Sequence, residues 1–519
     1  MKKIFILCSS VCLSISAFAQ IPEDAIKYSW FPNNGTARVS AIGGAMGSLG
    51  GDISATGINP AGLGFFKTTE FVLSPGYSFL KNKGDFRGTK ASDKDKYFNL
   101  GTSGIVGGWQ GESKGVTKAM ALTVTRTANF RNKIYYTGQN DFSSFAEQYA
   151  FEAAASGIDI NHVWESPDIS IGTRLANLLY VIDTATLPGN SQPDVISTAM
   201  YNQLKLGGDF LLNQTHEIET TGGITEIALG YAVNFRDKIY VGGSFGLPIV
   251  KYGKRSYFEE RDATGAPNNY FNFVSLDERY TTKGVGINAK LGIIAKPAEY
   301  IRLGFAIHSP SWYSLTDTYE ASMSADLENY RSVQRVYTED SKQFTNGQPS
   351  NYKYEITTPW KFLLSGSYVI REIEDVRKQK GFITADIEYT TYSSNRFRNS
   401  EDYEGDENYY DAVNEATKAY YKGALNFRVG GELKFTTLMT RLGFAYYGDP
   451  YRDKELKGHK MFLSGGLGYR NKGMFIDLTY VHALQKDISF PYRLSDKANT
   501  FATLRGSGSN MMLTFGFKI

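Results

Sequence analysis

His308 and Ser311 stand close together near the end of an expected strand, the residue types from which a serine hydrolase builds its nucleophile and base. That chemistry also needs a group to orient the imidazole and an oxyanion site, and His-Ser-Pro-Ser brings no visible orienter. The five histidines, His162, His216, His308, His459 and His482, form no H-E-x-x-H and no tight cluster, so no metal centre is expected. Cys8 and Cys12 are the only cysteines, and both fall in the leader described below. A mature chain without them has no disulfide, thiol nucleophile or cysteine–metal site. The acidic run Glu401, Asp402, Glu404, Asp406 and Glu407 lacks EF-hand spacing and reads as a solvated loop. No catalytic residue, metal or cofactor is expected, and the chain reads as a non-enzyme. What remains is a set of charges at alternate positions in otherwise apolar segments: Glu226, Arg302, His308, Lys361, Asp386, Glu388, Arg428, Glu432, Arg441 and Asp477. Arg302, Arg428 and Arg441 are the candidate contacts for a ligand carboxylate, because guanidinium matches carboxylate in bidentate geometry. The competing reading makes the whole set a structural ladder of ion pairs.

The elements carrying these charges are strands. In Gly223–Phe235, Ile227, Leu229, Tyr231, Val233 and Phe235 alternate with Glu226, Ala228, Gly230, Ala232 and Asn234. Across Arg236-Asp237, Ile239, Val241, Phe245 and Leu247 alternate with Gly242, Ser244 and Gly246. Period 2, apolar on one face and small or polar on the other, is the pattern of a membrane β-barrel wall. Similar pairs recur at Thr282–Ala295 with Tyr300–His308, Trp360–Ile370 with Phe382–Thr391, Gly423–Phe435 with Thr440–Tyr447, and Lys460–Tyr469 with Met474–His482. Thr68–Leu80, Tyr97–Gln110 and Val116–Asn129 open the series, and Met511–Ile519 closes it. Short turns fall on one side. Long polar segments fall on the other: Lys81–Lys96, Val250–Tyr280, Ser309–Thr358, Tyr392–Lys422, Gly448–His459 and Ala483–Leu504. The expected fold is all-β, an antiparallel transmembrane barrel of about 14 strands. With apolar faces towards lipid, the alternating charges point into the lumen. In 139–221 the apolar residues Phe145, Tyr149, Phe151, Leu175, Leu178 and Leu179 take helical spacing, so that loop is expected to be partly helical.

Composition fits this class. Lys2 and Lys3, the apolar run Ile4–Phe18 and Ala17-Phe18-Ala19 form a signal peptide over 1–19, removed before Gln20. No second apolar run is long enough for a membrane helix. The mean hydropathy of −0.32 is that of a soluble protein, but in a barrel only every second residue faces lipid. The 53 glycines, 35 tyrosines and 33 phenylalanines suit small inward residues and aromatic girdles. A net charge of +3, which falls to +1 without Lys2 and Lys3, argues against nucleic acid as a partner.

Between leader and first strand lies GTARVSAIGGAMGSLGGDISATGINPAGLGFF, Gly35 to Phe66, too small-residued to build a domain core. Asn59 can cap the N–H groups that follow it, Pro60 wastes none at the first helical position, and Gly62 and Gly64 end the turn. No Gly-Lys-Ser/Thr makes it a nucleotide loop. Asn59, Pro60, Ala61, Gly62 and Leu63 resemble the N-P-A-G-L core of the hatch in the FadL/TodX family of outer-membrane transporters for fatty acids and other hydrophobic compounds. The resemblance implies a hatch over 20–67 that plugs the lumen, and a 14-stranded barrel over 68–519 with helical loops above its mouth. It further implies a bacterial outer-membrane location with lipid around the barrel, and passive uptake of hydrophobic small molecules such as long-chain fatty acids. The steps it implies are loop capture, binding in a lumen pocket and hatch-gated release, with a lateral exit at an inward strand kink. Gly107-Gly108 and Asn129-Phe130 are the positions considered for that kink. The alternative is a barrel that acts as adhesin or scaffold through its long loops. The sequence leaves oligomeric state open.

Overall fold

Alternation decides the wall. The computed structural model describes residues 24–330, 336–370, 380–400, 407–453 and 458–519, so the leader 1–19 and nearly all of the acidic run 401–407 lie outside the described residues. After the N-terminal segment come β1 (Glu70–Leu73), β2 (Pro75–Phe86), β3 (Thr89–Leu100), β4 (Ser103–Gln110), β5 (Val116–Asn129) and β6 (Asn132–Asn140). A small external hairpin, β7 (Ile182–Ala185) and β8 (Asp194–Ser197), precedes β9 (Leu212–Phe235), β10 (Ile239–Asp262), β11 (Phe273–Ala298) and β12 (Ile301–His308). There follow β13 (Trp312–Asp326), β14 (Tyr337–Asp340), β15 (Ser350–Thr357), β16 (Lys361–Ile370), β17 (Gly381–Thr390) and β18 (Arg396–Asn399). The last five are β19 (Ala424–Phe435), β20 (Leu438–Tyr447), β21 (Lys460–Asn471), β22 (Met474–Ser489) and β23 (Ala502–Lys518).

At membrane level the ring runs β1-β4-β5-β9-β10-β11-β12-β16-β17-β19-β20-β21-β22-β23 and closes where Phe71 pairs with Phe517. This is a closed antiparallel barrel of 14 strands. Its outer face carries Phe71, Leu73, Ile227, Leu229, Val241, Phe245, Phe427 and Leu442, the last 75% exposed. Apolar surface on that scale is stable only under lipid, since each Å² left in water forfeits roughly 25 cal/mol. The inward positions are buried, and Glu226, Arg302, Asp386, Glu388, Arg428, Glu432, Arg441 and Asp477 are all among them, as their parity requires.

Several segments expected as polar loops are strands. Lys81–Lys96 lies within the hairpin β2–β3, Val250–Tyr280 continues β10 and β11, and Ser309–Thr358 holds β13, β14 and β15. β9 and β10 each run 24 residues and β11 runs 26, where a crossing needs about 10. Above the lipid belt neither face needs apolar side chains, so the strands continue while the period-2 hydrophobic signal stops. Tyr392–Lys422 contains a helix, Glu407–Tyr420, which was also expected as loop.

In 139–221 the helices are Glu147–Ser156, Ile171–Leu178 and Tyr201–Leu206. Phe145, Tyr149, Leu175 and Leu179 are buried with Phe258, Val274 and Met323 of the strand extensions, whereas Phe151 faces outward. The external layer therefore has a core of its own.

Candidate functional site

The N-terminal segment sits inside the ring. Thr36 caps the short helix Ala37–Ala41, its hydroxyl accepting from Val39 N. Asn59 caps the 3₁₀ turn Pro60–Phe65 through a bond from Ala61 N, with Pro60 at the first position. The same Asn59 side chain donates to Gly47 O (2.6 Å), tying the two halves of the segment together. Ala61, Leu63 and Gly62 are buried with Pro60 against the wall.

Small residues let backbone meet backbone. A Cβ at Gly43, which has φ +67°, would stand 2.7 Å from Phe444 O, and one at Gly47 2.7 Å from the Ser365 side chain. Wall side chains then satisfy the segment's peptide groups. Thr514 accepts from Ala37 N (2.8 Å), and Ser464 donates to Ala41 O (3.0 Å). Ser244 donates to Thr56 O (2.8 Å), and His308 Nε2 meets Ile58 O (2.8 Å). Asp386 accepts from Met46 N and Gly47 N, each at 3.1 Å. Ser244 belongs to the G-x-S-x-G run Gly242–Gly246. That run lies inside β10 rather than on a strand-to-helix elbow, and its hydroxyl is spent on the plug.

The inward arginines are engaged. Arg428, with a fully buried side chain, faces Glu388 at 3.1 Å and Asp386 at 3.8 Å. Arg441 bridges Glu432 and Asp477, both at 2.6 Å, and Arg38 of the plug reaches Glu432 at 3.4 Å. Arg302 lies 4.9 Å from the ring centroid of Phe65. Arg38–Glu432 and Arg302–Phe65 join plug to wall, while the Arg428 and Arg441 pairs tie wall strands to one another.

A cavity of about 520 Å³ opens above the plug. Its floor and one side come from Trp30, Phe31, Asn33 and Asn34, where Asn33 N donates to Tyr447 Oη (2.8 Å) and Lys460 Nζ sits 3.6 Å over the Trp30 ring. The other side comes from Tyr97, Arg126, Phe130 and Arg131. Lys27, Arg126, Arg131 and Lys460 give the lining four cations, and among the described residues no carboxylate lines it. Arg126 donates to Thr225 Oγ1 (3.0 Å) and, among the described residues, has no ion-pair partner. A larger hollow of about 640 Å³, bordered by Ile383, Leu442 and Leu463, lies on the lipid face outside the barrel, with Ser464, Tyr480 and His482 as its polar members.

Arg126 stands where the wall bends. The β5–β9 register slips between Arg126 and Ala128, and Phe130 N donates to Gly222 O (3.1 Å). Opposite the slip, Gly222 and Gly223 have φ of +91° and +156°, and a Cβ on Gly223 would collide with Ala128 O. The glycine pair is what lets β5 turn inwards into β6. β6 then crosses behind the β2–β3 hairpin, with Gly138 against Phe86 O and Phe86 packed on Tyr136. The bend therefore falls at Arg126–Phe130, whereas Gly107-Gly108 stays in regular pairing with Met120 and Ala119. Sequence reading did not single out Arg126, Trp30 or Lys460. Gly222-Gly223 in the middle of a strand was the available signal.

No family model matches the chain, and no curated protein sequence matches it. Its fold is similar to solved structures over nearly the whole length, among them the following two. One is a FadL homologue of Pseudomonas aeruginosa, with TM-score 0.52, 13% identity, 94% of this chain covered and 98% of that one. The other is the toluene transporter TodX of Pseudomonas putida, with TM-score 0.51, 13% identity, and 94% and 99% covered. At this identity the likeness establishes a shared barrel fold.

Proposed function

We propose that the chain is a passive transporter in the bacterial outer membrane, reached through a cleaved signal peptide, that takes up hydrophobic small molecules bearing a polar or anionic end. The observation that carries this is the aromatic cavity between plug and bent wall, with Arg126 at its edge. An apolar body gains about 0.8 kcal/mol per CH₂ on leaving water, which suits Trp30, Phe31 and Phe130. A guanidinium without a carboxylate partner suits an anionic head. A long-chain fatty acid meets both conditions.

The route has three steps. The external layer over 139–221 receives the ligand, the cavity holds it, and release follows at the bend or by movement of the plug around Asn59-Pro60. In this reading Arg302 holds the plug, Arg428 and Arg441 tie wall strands together, and the ligand's carboxylate meets Arg126. Uptake of labelled oleate by cells lacking their own transporter tests the proposal. The intact chain should restore saturable uptake, and Arg126→Ala should raise the half-saturating concentration. Background uptake at normal surface expression would refute it.

A further inference from the structure

β3 is bonded through its backbone to β2 along one edge, and among the described residues its other edge has no backbone partner. β6 lies beside that edge, paired only with β9. Along the β3 edge what joins the two is a row of side chains, while from β2 Asn82 donates to Lys133 O (2.5 Å) and Phe86 packs on Tyr136. Asp95 meets Arg131 at 2.8 Å, Asp93 meets Lys133 at 3.1 Å, and at the hairpin tip Arg87 donates to Gln139 O at 2.9 Å while pairing with Asp141. The register is that of an antiparallel ladder: two residues forward on β3 match two residues back on β6. Ion pairs stand where peptide bonds would otherwise be hydrogen-bonded. The ring of 14 strands at membrane level, which includes neither β3 nor β6, is closed by backbone pairs; the seam lies in the wall that extends above it.

We propose that this ionic seam is the gate of the wall, a reading that rests on the transport function above. The row begins at Arg131, which also lines the cavity. Arg131 pairs with Asp95 on the β3 edge through Nε and is at the same time part of the cavity lining. A carboxylate seated in the cavity competes with Asp95 for Arg131. Exchange of one carboxylate for another costs the arginine no charge partner, and it frees β3 from β6 next to the bound ligand. A ligand that cannot offer an anion leaves the seam shut. Binding and opening are coupled through one side chain, since a ligand shifts a conformational equilibrium only by interacting differently with its two states. The pairs are part-exposed, with side-chain exposures of 40% and 15% for Arg131–Asp95, so salt weakens them while leaving the backbone-paired wall intact.

The test uses the full-length protein in detergent, spin-labelled at Lys94→Cys on β3 and Gln139→Cys on β6. Moving from low to molar salt should lengthen the inter-label distance. Decanoate at low salt should lengthen it too, and decanol should not. Asp93→Asn with Asp95→Asn should show the long distance at low salt without ligand. A distance indifferent to salt and to the double variant overturns the seam, and an equal response to decanol overturns the coupling. In a second arm, Asp95→Cys and Arg131→Cys are joined by a short reducible bis-thiol cross-linker. Oleate uptake should be lost and should return with reductant. Full uptake through the cross-linked form overturns the gate. If the uncross-linked protein takes up nothing while the distance obeys salt and decanoate, the transport function fails and the seam stands.

Discussion

Asp386 shows how one side chain can serve plug and wall together. Its carboxylate takes two plug N–H groups, the Ser365 hydroxyl (2.6 Å) and the charge of Arg428. Both N–H groups meet Oδ2, so Asp386→Asn can keep them on its amide oxygen, but its nitrogen cannot accept from Ser365 and the lost charge leaves Arg428 with Glu388 as its only carboxylate among the described residues. Breaking a buried pair of this kind costs about 3 kcal/mol. The urea midpoint should fall, and single-channel leak should rise as the plug loosens. An unchanged leak would show that Asp386 does not hold it. Arg126 is the counterpart on the ligand side. A hydrogen bond to a charged group is worth about 1.5–3 kcal/mol, so Arg126→Ala should weaken oleate binding roughly tenfold or more and leave oleyl alcohol binding unchanged. Quenching of tryptophan fluorescence, to which Trp30 contributes from the cavity, reads both affinities.

At the scale of elements, the external layer is fastened by a carboxylate that, among the described residues, has no ion-pair partner. Glu260 lies far up β10, beyond Ile249 where the exposed apolar belt of that strand ends, and is fully buried. It accepts from Ser144 Oγ, from Phe145 N (3.0 Å) and from Gln214 Nε2 (2.9 Å), so it pins the start of the helical segment to the rim. Glu147 next to it is taken by Lys497, and Tyr492 and Tyr149 complete the surroundings. Burial pushes the Glu260 carboxyl up to about 7, against the pull of its three donors and with Glu147 adding to the rise. A carboxyl raised in the folded state holds its proton more tightly there than in the released one. Docking is therefore strongest below the ordinary carboxylate range and is lost progressively as pH climbs from there through about 7. Amide exchange over 143–150, corrected for intrinsic rate, should show protection at pH near 5 that declines towards 8. Glu260→Gln should flatten that dependence, and a variant that kept the slope would exclude Glu260 as its source.

The same contrast between belt and rim explains what the sequence discloses. Ile227, Leu229, Tyr231, Val233 and Phe235 announce a strand because lipid demands an apolar residue at every second place. Asp93, Lys94, Asp95 and Lys96 announce none, although their alternation is just as strict: the aspartates turn to β6 and the lysines to solvent. Charge parity placed Glu226, Asp386 and Arg428 inside the barrel, but it carries no information on which partner each one finds. That depends on register across strands hundreds of residues apart, as Arg38 with Glu432 illustrates. Trp30 and Lys460 came together the same way.

The whole molecule is a sealed cylinder with its storage space above the seal. Gly35–Phe66 fills the membrane-level lumen, and the cavity lies between residues 26–44 and the wall strands. Removal of Gly35–Phe66 should turn a closed barrel into a large conducting pore, since a wall of 14 strands encloses more space than its own side chains fill. Planar-bilayer conductance checks this, and a pore no wider than the intact protein's would mean that wall side chains alone close it.

The most direct measurement is the initial uptake rate of labelled oleate into cells whose outer membrane lacks a fatty-acid transporter, with this chain displayed at verified density. The account predicts saturable uptake that is weakened by Arg126→Ala and retained by Arg126→Lys at reduced affinity. A rate equal to that of cells without the chain would contradict it.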